Sequence, residues 1–465
     1  MVKKWLIAGA VFVIVMLVIG GGCGWAGMKL GRAIIEGLPG DFSRYYPVTS
    51  WCGNGLPFVD RLPAMLDGKT YAVMLLNNKE LRPSGGFLGS YVLVKTGNGV
   101  IKEWTVKDVY DADGKLPGHV EPPYPVQESF KQGWWKLRDA DWDPDFSSGA
   151  ATIAWFMDQG GDHVDGMVAL NLDFVEKWLS IMGPVKVFSY DRELTADNFY
   201  TLAQSSAQVG WVPGSTQKRD FLGAAGVALA EETKKANPSQ LVKLAREVWR
   251  QLKTGQMMLW FEDKDLQKTV AEKHWDGGWG KGWGDYLYVA EANLGSNKSN
   301  CCVTRSVIQE ITGDEEKIRI DWKNTSKYQN PVPEEDFWGG NYLNYLRVVV
   351  PSGAEVAEVT VGGEKLRRAV EADFAFPNSL RQRRTMEMYA VEERGDLQLI
   401  GFWADVPAGG ENWAQVTLTR AEKPRSYSIR IRRQPGIAGF DYRLTVDGKE
   451  IWKGWIDKNM DLGVK

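Results

Sequence analysis

Cysteine and histidine are scarce in this chain, with four and three among 465 residues, and each scarcity excludes a class of protein. Four cysteines cannot frame a disulfide-stapled scaffold. Cys23 sits inside an apolar run, whereas Cys52 could bridge to Cys301 or Cys302, or all three could remain isolated thiols. His119, His163 and His274 are widely separated and offer no zinc spacing. No Gly-x-Ser-x-Gly elbow occurs, so a serine hydrolase has no nucleophile to stand on. An excess of positive charge is also missing. With 56 Lys and Arg against 59 Asp and Glu, the net charge is −3 and the pI about 5.9, which argues against a nucleic-acid partner. No stretch is repetitive or reads as disordered.

Charge is absent from one long segment as well. Between Lys4 and Lys29 no side chain other than Cys23 ionises, and Trp5 to Met28 is dominated by Leu, Ile, Val, Ala, Phe and Gly. About two dozen residues at 1.5 Å each can cross a hydrocarbon core roughly 30 Å thick. The run has no polar face, unlike a helix at the edge of a soluble core. It reads as a transmembrane signal anchor. The rivals are a cleavable signal peptide ending at Gly20 to Gly22, and a lipoprotein signal before Cys23 in which Gly20 stands where Leu is usual. Lys3 and Lys4 are nearly balanced by Lys29 and Arg32, but the four-residue tail favours a cytoplasmic N-terminus. The expectation is a single-pass protein of a bacterial cytoplasmic membrane, with the lipid bilayer as partner and the body on the extracytoplasmic face.

Tryptophan and glycine are plentiful, at 21 and 51 residues, as suits a packed, turn-rich exported body. At this length two or three domains are expected. Tyr71 to Leu76 and Gly89 to Lys95 read as strands, Ala150 to Gln159 as a helix, Met167 to Leu170 as a strand, Leu172 to Met182 as a helix and Val185 to Phe188 as a strand. This alternation predicts a three-layer α/β/α domain with a mainly parallel sheet. Thr195 to Gln208, Lys218 to Ala236, Gln240 to Thr254 and Asp263 to Lys273 read as helices, with a break at Asn237-Pro238-Ser239. The Gly and Trp run from His274 to Tyr286 holds no long regular element. Trp275, Trp279 and Trp283 within it favour packing over stacking on sugars. From Asp314 onward the pattern changes to short strands between Gly and Pro turns, which predicts a C-terminal all-β sandwich. The expected divisions are 1–28 anchor, 29–66 connecting region, 67–313 α/β/α domain with a helical insertion, and 314–465 β-sandwich.

Tyr71 to Tyr91, YAVMLLNNKELRPSGGFLGSY, resembles the bacterial family known only as domain of unknown function 4012. The segments from Trp134, His163 and Tyr288 fit the same pattern, over roughly residues 70 to 310. That family in turn resembles the LytR-CpsA-Psr enzymes, membrane-anchored transferases that move glycopolymers from a polyprenyl-diphosphate carrier to the cell wall. The likeness lies in the order of parts: a strand ending in a polar loop with an Arg, an Ala-rich helix, a further strand and helix, and Leu194-Thr195 opening a helix before Lys218-Arg219-Asp220-Phe221. There are departures. The transferases place an Asp two residues before an Arg in the first loop; here Asn77 to Arg82 reads NNKELR, and only Arg82 carries over. A later pair of arginines is reduced to Arg219, with Thr216 at the other position.

A diphosphate leaving group needs cations and hydrogen-bond donors, often with a divalent metal. Arg82 is the leading cation, beside Ser84, Gly85 and Gly86, whose small side chains admit an anion to backbone N–H groups, unless the glycines simply make a tight connection. Arg138 and Asp139 join it as candidate catalytic groups. Asp139 and Asp141 are candidate oxygen ligands for Mg²⁺, whereas Asp143 and Asp145 suit turn and N-cap chemistry. Lys218, Arg219, Asn293 and Lys298 complete the candidate substrate-binding set, and Asn297 shares the polar turn. The expected function is binding of a polyprenyl-diphosphate-linked or other anionic envelope glycan, with its transfer as the further step the resemblance implies. The alternative is a non-catalytic structural or scaffold protein that keeps the fold without the chemistry. An apolar tunnel ending at Arg82 favours the first, and a filled core there favours the second.

Overall fold

A computed structural model describes residues 24–52, 58–113, 115–208, 217–280, 285–328, 338–374, 385–420 and 427–464. The apolar run up to Cys23, Thr216 and Trp283 lie outside the described residues, and no described helix is long and apolar enough to cross a membrane. The chain divides into two compact units. The first comprises 1–76, 88–117 and 146–278, and the second comprises 77–87, 118–145 and 279–465.

The first unit is mixed α/β. Its longer helices are α1 (Gly24–Glu36), α2 (Pro39–Cys52), α3 (Phe146–Gln159), α4 (Leu172–Met182), α5 (Phe199–Gln208), α6 (Gln217–Lys235), α7 (Pro238–Lys253) and α8 (Lys264–Glu272). Its sheet runs in the order β3-β2-β1-β4-β7, from β1 (Thr70–Asn77), β2 (Phe87–Gly97), β3 (Val100–Asp108), β4 (Gly166–Asn171) and β7 (Met258–Phe261); β5 (Val185–Val187) and β6 (Arg192–Leu194) form a separate pair. Strand β4 is buried at every position, so both faces of the sheet are covered. Tyr71, Val73, Val168, Leu170, Leu259 and Phe261 point to one core, which Leu30 and Ile34 of α1 and Val248 and Leu252 of α7 also enter. The described residues of the expected connecting region, 29–66, are thus part of this unit, since Phe42, Phe58, Leu62 and Leu66 enter the same core.

The sheet is not mainly parallel. Strands β1 and β4 are parallel, but β2 with β3 and β4 with β7 are antiparallel. The cause is local. Asn98-Gly99 joins β2 to β3 with both residues at positive φ, 52° and 79°, the two-residue turn whose twist matches antiparallel strands. The break at Asn237 is also local: its side chain accepts from the Gln240 N–H at 3.1 Å, Gln240 accepts from the Asn237 N–H at 3.0 Å, and Pro238 opens α7.

The second unit is mainly β, with one short α-helix, Tyr124–Phe130. Its strands are β8 (Asp285–Asn293), β9 (Val303–Thr312), β10 (Glu315–Asn324), β11 (Asn344–Pro351), β12 (Glu355–Val361), β13 (Glu364–Arg368), β14 (Met388–Arg394), β15 (Leu397–Trp403), β16 (Glu411–Thr419), β17 (Tyr427–Arg432), β18 (Phe440–Val446), β19 (Lys449–Ile456) and β20 (Met460–Val464). Hydrogen bonds link all of them into one sheet in the order β19-β18-β9-β10-β16-β12-β13-β14-β15-β11-β8-β17-β20. The expected sandwich of two sheets is therefore a single curled, nearly barrel-like sheet, whose inward residues, among them Ile318, Ile320, Val348, Val416 and Ile431, share one core. The boundary expected after Gly313 is also corrected: Gly313 lies in the hairpin turn between β9 and β10, which pair along their whole length. Strand β8 pairs with β11 and β17, so the last and longest segment of the β unit begins near Trp279.

The cysteine alternatives resolve differently from either expectation. Cys301 is bonded to Cys302, and the side chain of Cys52 is outside the description. Trp275 and Trp279 are buried in their respective units, in keeping with packing.

Candidate functional site

The polar loop between β1 and β2 belongs to the β unit, together with residues 118–145 and the end of β8. Its centre is Arg82, only 2% exposed. The guanidinium donates to the Asn293 carbonyl, to the Leu81 carbonyl at 3.3 Å and to Glu80 Oε1 at 3.3 Å, and lies 4.0 Å from Asp139 Oδ1. The rings of Phe87 and Phe130 stand 5.4 and 5.9 Å from it. Glu80 is held on its other oxygen by Lys298. Burial pushes the Glu80 carboxyl up, but the neighbouring Lys298 and Arg82 charges outweigh that and leave it below the ordinary carboxylate range.

The backbone of the loop is fixed with equal completeness. Leu81 N–H donates to Asn300 Oδ1 at 2.9 Å, its carbonyl accepts from Asn293 N–H at 2.8 Å, and Gln434 donates to the Arg82 carbonyl at 3.1 Å and to the Glu291 carbonyl at 2.7 Å. Asn293, fully buried, also donates to Ser299 Oγ at 3.0 Å and Asn300 Oδ1 at 2.9 Å. Gly86 has φ +155°, and a Cβ there would stand 2.4 Å from the Asn77 carbonyl carbon, while one on Gly85 would meet Pro435 at 3.0 Å. The two glycines are where backbone segments press together, the tight-connection reading of this pair.

Asp139 and Asp141 meet the loop from the other side. Asp139 Oδ2 accepts from Gln132 at 3.0 Å and lies 3.5 Å from Arg138 Nε. Arg138 is partly exposed and also donates to Gln132 Oε1 at 3.0 Å. Asp141 is fully buried; Ser84 donates to its Oδ2 at 3.3 Å, and Oδ1 has no hydrogen-bond partner among the described residues. Burial, opposed by Arg82 and reinforced by Asp139, pushes its carboxyl up to about 7. The pair does not fit Mg²⁺, which needs several ionised or carbonyl oxygens turned to one point. Asp139 is already turned to Gln132, Arg138 and Arg82, and Asp141 already accepts from Ser84 on one of its two oxygens. Asp143 instead makes a turn, accepting from Asp145 N–H at 2.9 Å, and pairs with Arg394 at 2.7 Å.

Of the candidate residues, Arg82, Ser84, Gly85, Gly86, Arg138, Asp139, Asp141, Asn293 and Lys298 all fall in this one unit and most touch. Lys218 and Arg219 belong to α6 of the α/β unit, where Arg219 pairs with Asp220 at 3.4 Å and Asp111 at 4.0 Å. Sequence reasoning missed Glu80, Asn300 and Gln434. Glu80 had a signal, since it stands two residues before Arg82, and so had Asn300, which closes the polar turn that holds Asn297 and Lys298; Gln434 comes from a distant part of the chain and had none. A second cluster was missed in the α/β unit, where His163, Asp165 and Glu262 place ligand atoms within 4.8 Å of one another. Asp165 is already engaged there, by Lys69 at 2.7 Å and the Thr70 N–H at 2.8 Å.

Comparison with known proteins agrees with part of the sequence resemblance. Residues 67–207 match the model of a family described as protein of unknown function (DUF4012), which supports that family. No curated protein matches the chain. Solved structures that are similar include a candidate nutrient binding protein from Legionella pneumophila, at 10% identity and TM-score 0.22, covering 35% of this chain and 66% of that one. A protein from Listeria innocua is 11% identical, with TM-score 0.26 and coverage of 44% and 77%. A candidate transcriptional factor fragment from Listeria monocytogenes is 10% identical, with TM-score 0.21 and coverage of 48% and 85%. The chain spans just under two thirds of the Legionella protein.

Proposed function

We propose that this chain is a membrane-anchored, extracytoplasmic structural protein of the cell envelope, one that keeps the polar loop of a glycopolymer-transferase-like ancestor without the transfer chemistry. One observation carries the reading: the Arg82 guanidinium is sealed inside the β unit by protein acceptors and two aromatic rings. The resemblance to LytR-CpsA-Psr enzymes would ask the same side chain to face a diphosphate. A guanidinium earns affinity for phosphate by offering two parallel N–H groups, and here those groups are engaged by Glu80 and by the Leu81 and Asn293 carbonyls. Anchoring rests on the charge-free run from Trp5 to Met28.

The rival reading, binding and transfer of a polyprenyl-diphosphate-linked glycan, draws on the unpartnered Asp141 Oδ1 and the hydroxyl of Ser84 beside it. Calorimetric titration of the detergent-solubilised full chain with a short-chain polyprenyl diphosphate, with and without Mg²⁺, separates the two. The structural reading expects no saturable heat in either condition. Saturable binding that Arg82→Ala abolishes while the chain stays folded would replace it with the glycan reading.

A further inference from the structure

The face of α1 that does not enter the core borders a cavity of 210 Å³. Its walls are Met28, Ile35, Ala230, Pro238 and Leu241, and its polar edge carries Lys29, Arg32 and Lys234 with Glu36. Arg32 crosses the opening, donating to the Lys234 carbonyl at 3.1 Å while its Nε lies 3.5 Å from Glu36. Its side chain is still 52% exposed. Lys234 lies 2.7 Å from Glu231. An apolar wall with a cationic edge has the two-part chemistry of one anionic lipid, an acyl chain and a phosphate.

Position in the chain says which phosphate. We infer that this cavity holds the headgroup and upper acyl chain of an anionic phospholipid from the bilayer in which the preceding run is anchored, and the inference rests on that anchoring. The apolar run ends at Met28, inside the first turns of α1, so Lys29 and Arg32, one and four residues later, stand roughly 2 and 6 Å further along the helix axis. The polar layer of a bilayer is roughly 5 to 8 Å deep on each side. Helical side chains lean toward the N-terminus, which here is the membrane side, so both cations reach back into that layer. Basic residues so placed attract anionic lipid, each by roughly a few-fold to tenfold in binding.

The test uses the full chain in neutral-detergent micelles doped with equal amounts of dioleoylphosphatidylglycerol and dioleoylphosphatidylcholine, with retained lipid counted by native mass spectrometry. One phosphatidylglycerol per chain should be held, with about tenfold preference. The double variant Lys29→Gln, Arg32→Gln should bring the preference close to one, and Lys234→Gln, which leaves α1 unaltered, should move it the same way. Inorganic phosphate should not compete, because it has nothing to place against the apolar wall. Competition by phosphate would make this a free-anion site and overturn the lipid assignment. Equal retention of the two lipids, or a preference unchanged in both variants, would overturn it as well. Alkaline carbonate extraction of membranes tests the anchor separately: release of the chain removes the anchoring premise, whereas loss of lipid preference in a chain that stays with the membrane removes the lipid site alone.

Discussion

Glu80 and Asp141 are both buried carboxyls around one guanidinium, yet they titrate in opposite senses. Glu80 has Arg82 and Lys298 in contact; Asp141 has a serine hydroxyl and, among the described residues, an oxygen with no partner. The folded-state value of about 7 for Asp141 lies above its ordinary 3.8, so the folded protein holds the extra proton between those limits. Its contribution to stability is complete below about pH 4 and is lost as the pH rises through 7. Glu316, pushed up to about 7 by burial and by Asp285, acts in the same direction. The prediction is therefore a comparison: between pH 5 and pH 8 the urea midpoint of the natural chain should fall, and that of Asp141→Asn should fall less. Equal slopes would show that Asp141 ionises freely. Replacing Lys298 by Met should act through Glu80, leaving its buried carboxylate with Arg82 alone and destabilising the unit by roughly 1 to 3 kcal/mol in chemical unfolding. Glu80 was readable in the sequence as a carboxylate two residues before Arg82; that it would be neutralised by Lys298, 218 positions away, was not, because no local pattern links the two.

At the scale of elements, the sequence was most legible where a cap or a period decides locally. Leu172–Met182 is a helix with the expected bounds, and α7 starts at the expected Asn-Pro break. Strand direction was less legible. The hairpin at Asn98-Gly99 was present in the sequence but unread, and β7 is four residues, too short to tell from a buried turn of helix by its period. The glycine pair in the polar loop gives a sharp expectation. A Cβ on Gly86 would overlap the Asn77 backbone at 2.4 Å, so Gly86→Ala should lower stability by roughly 1 to 3 kcal/mol. The same substitution at Gly353, which has open space, should leave the packing undisturbed and cost only its backbone conformation. Equal losses at the two positions, measured by thermal unfolding, would mean that the loop yields.

For the whole molecule, the sequence announced two structural regimes but not the line between them. The β pattern was clear from Asp314, while β8 and β9 lay inside a stretch read as α/β, because their neighbours in sequence are the Gly and Trp run and a polar turn. Strand pairing settles it: β10 and β18 flank β9, and β11 and β17 flank β8. A fragment from Asp314 to Lys465 therefore lacks two interior strands, and should show no cooperative unfolding by circular dichroism; a sharp transition would restore the boundary at Gly313. The central claim is that Arg82 is a cation built into the β unit and not one held out for a ligand. Chemical unfolding of the full chain, followed by tryptophan fluorescence, tests it most directly. Arg82→Ala should shift the transition of the β unit by roughly 3 to 5 kcal/mol, since Glu80 and Asp139 would lose a buried partner, and Arg82→Lys should recover only part of it because an ammonium cannot reach both Glu80 and the Asn293 carbonyl. An Arg82→Ala chain that unfolds at the natural midpoint would contradict the account.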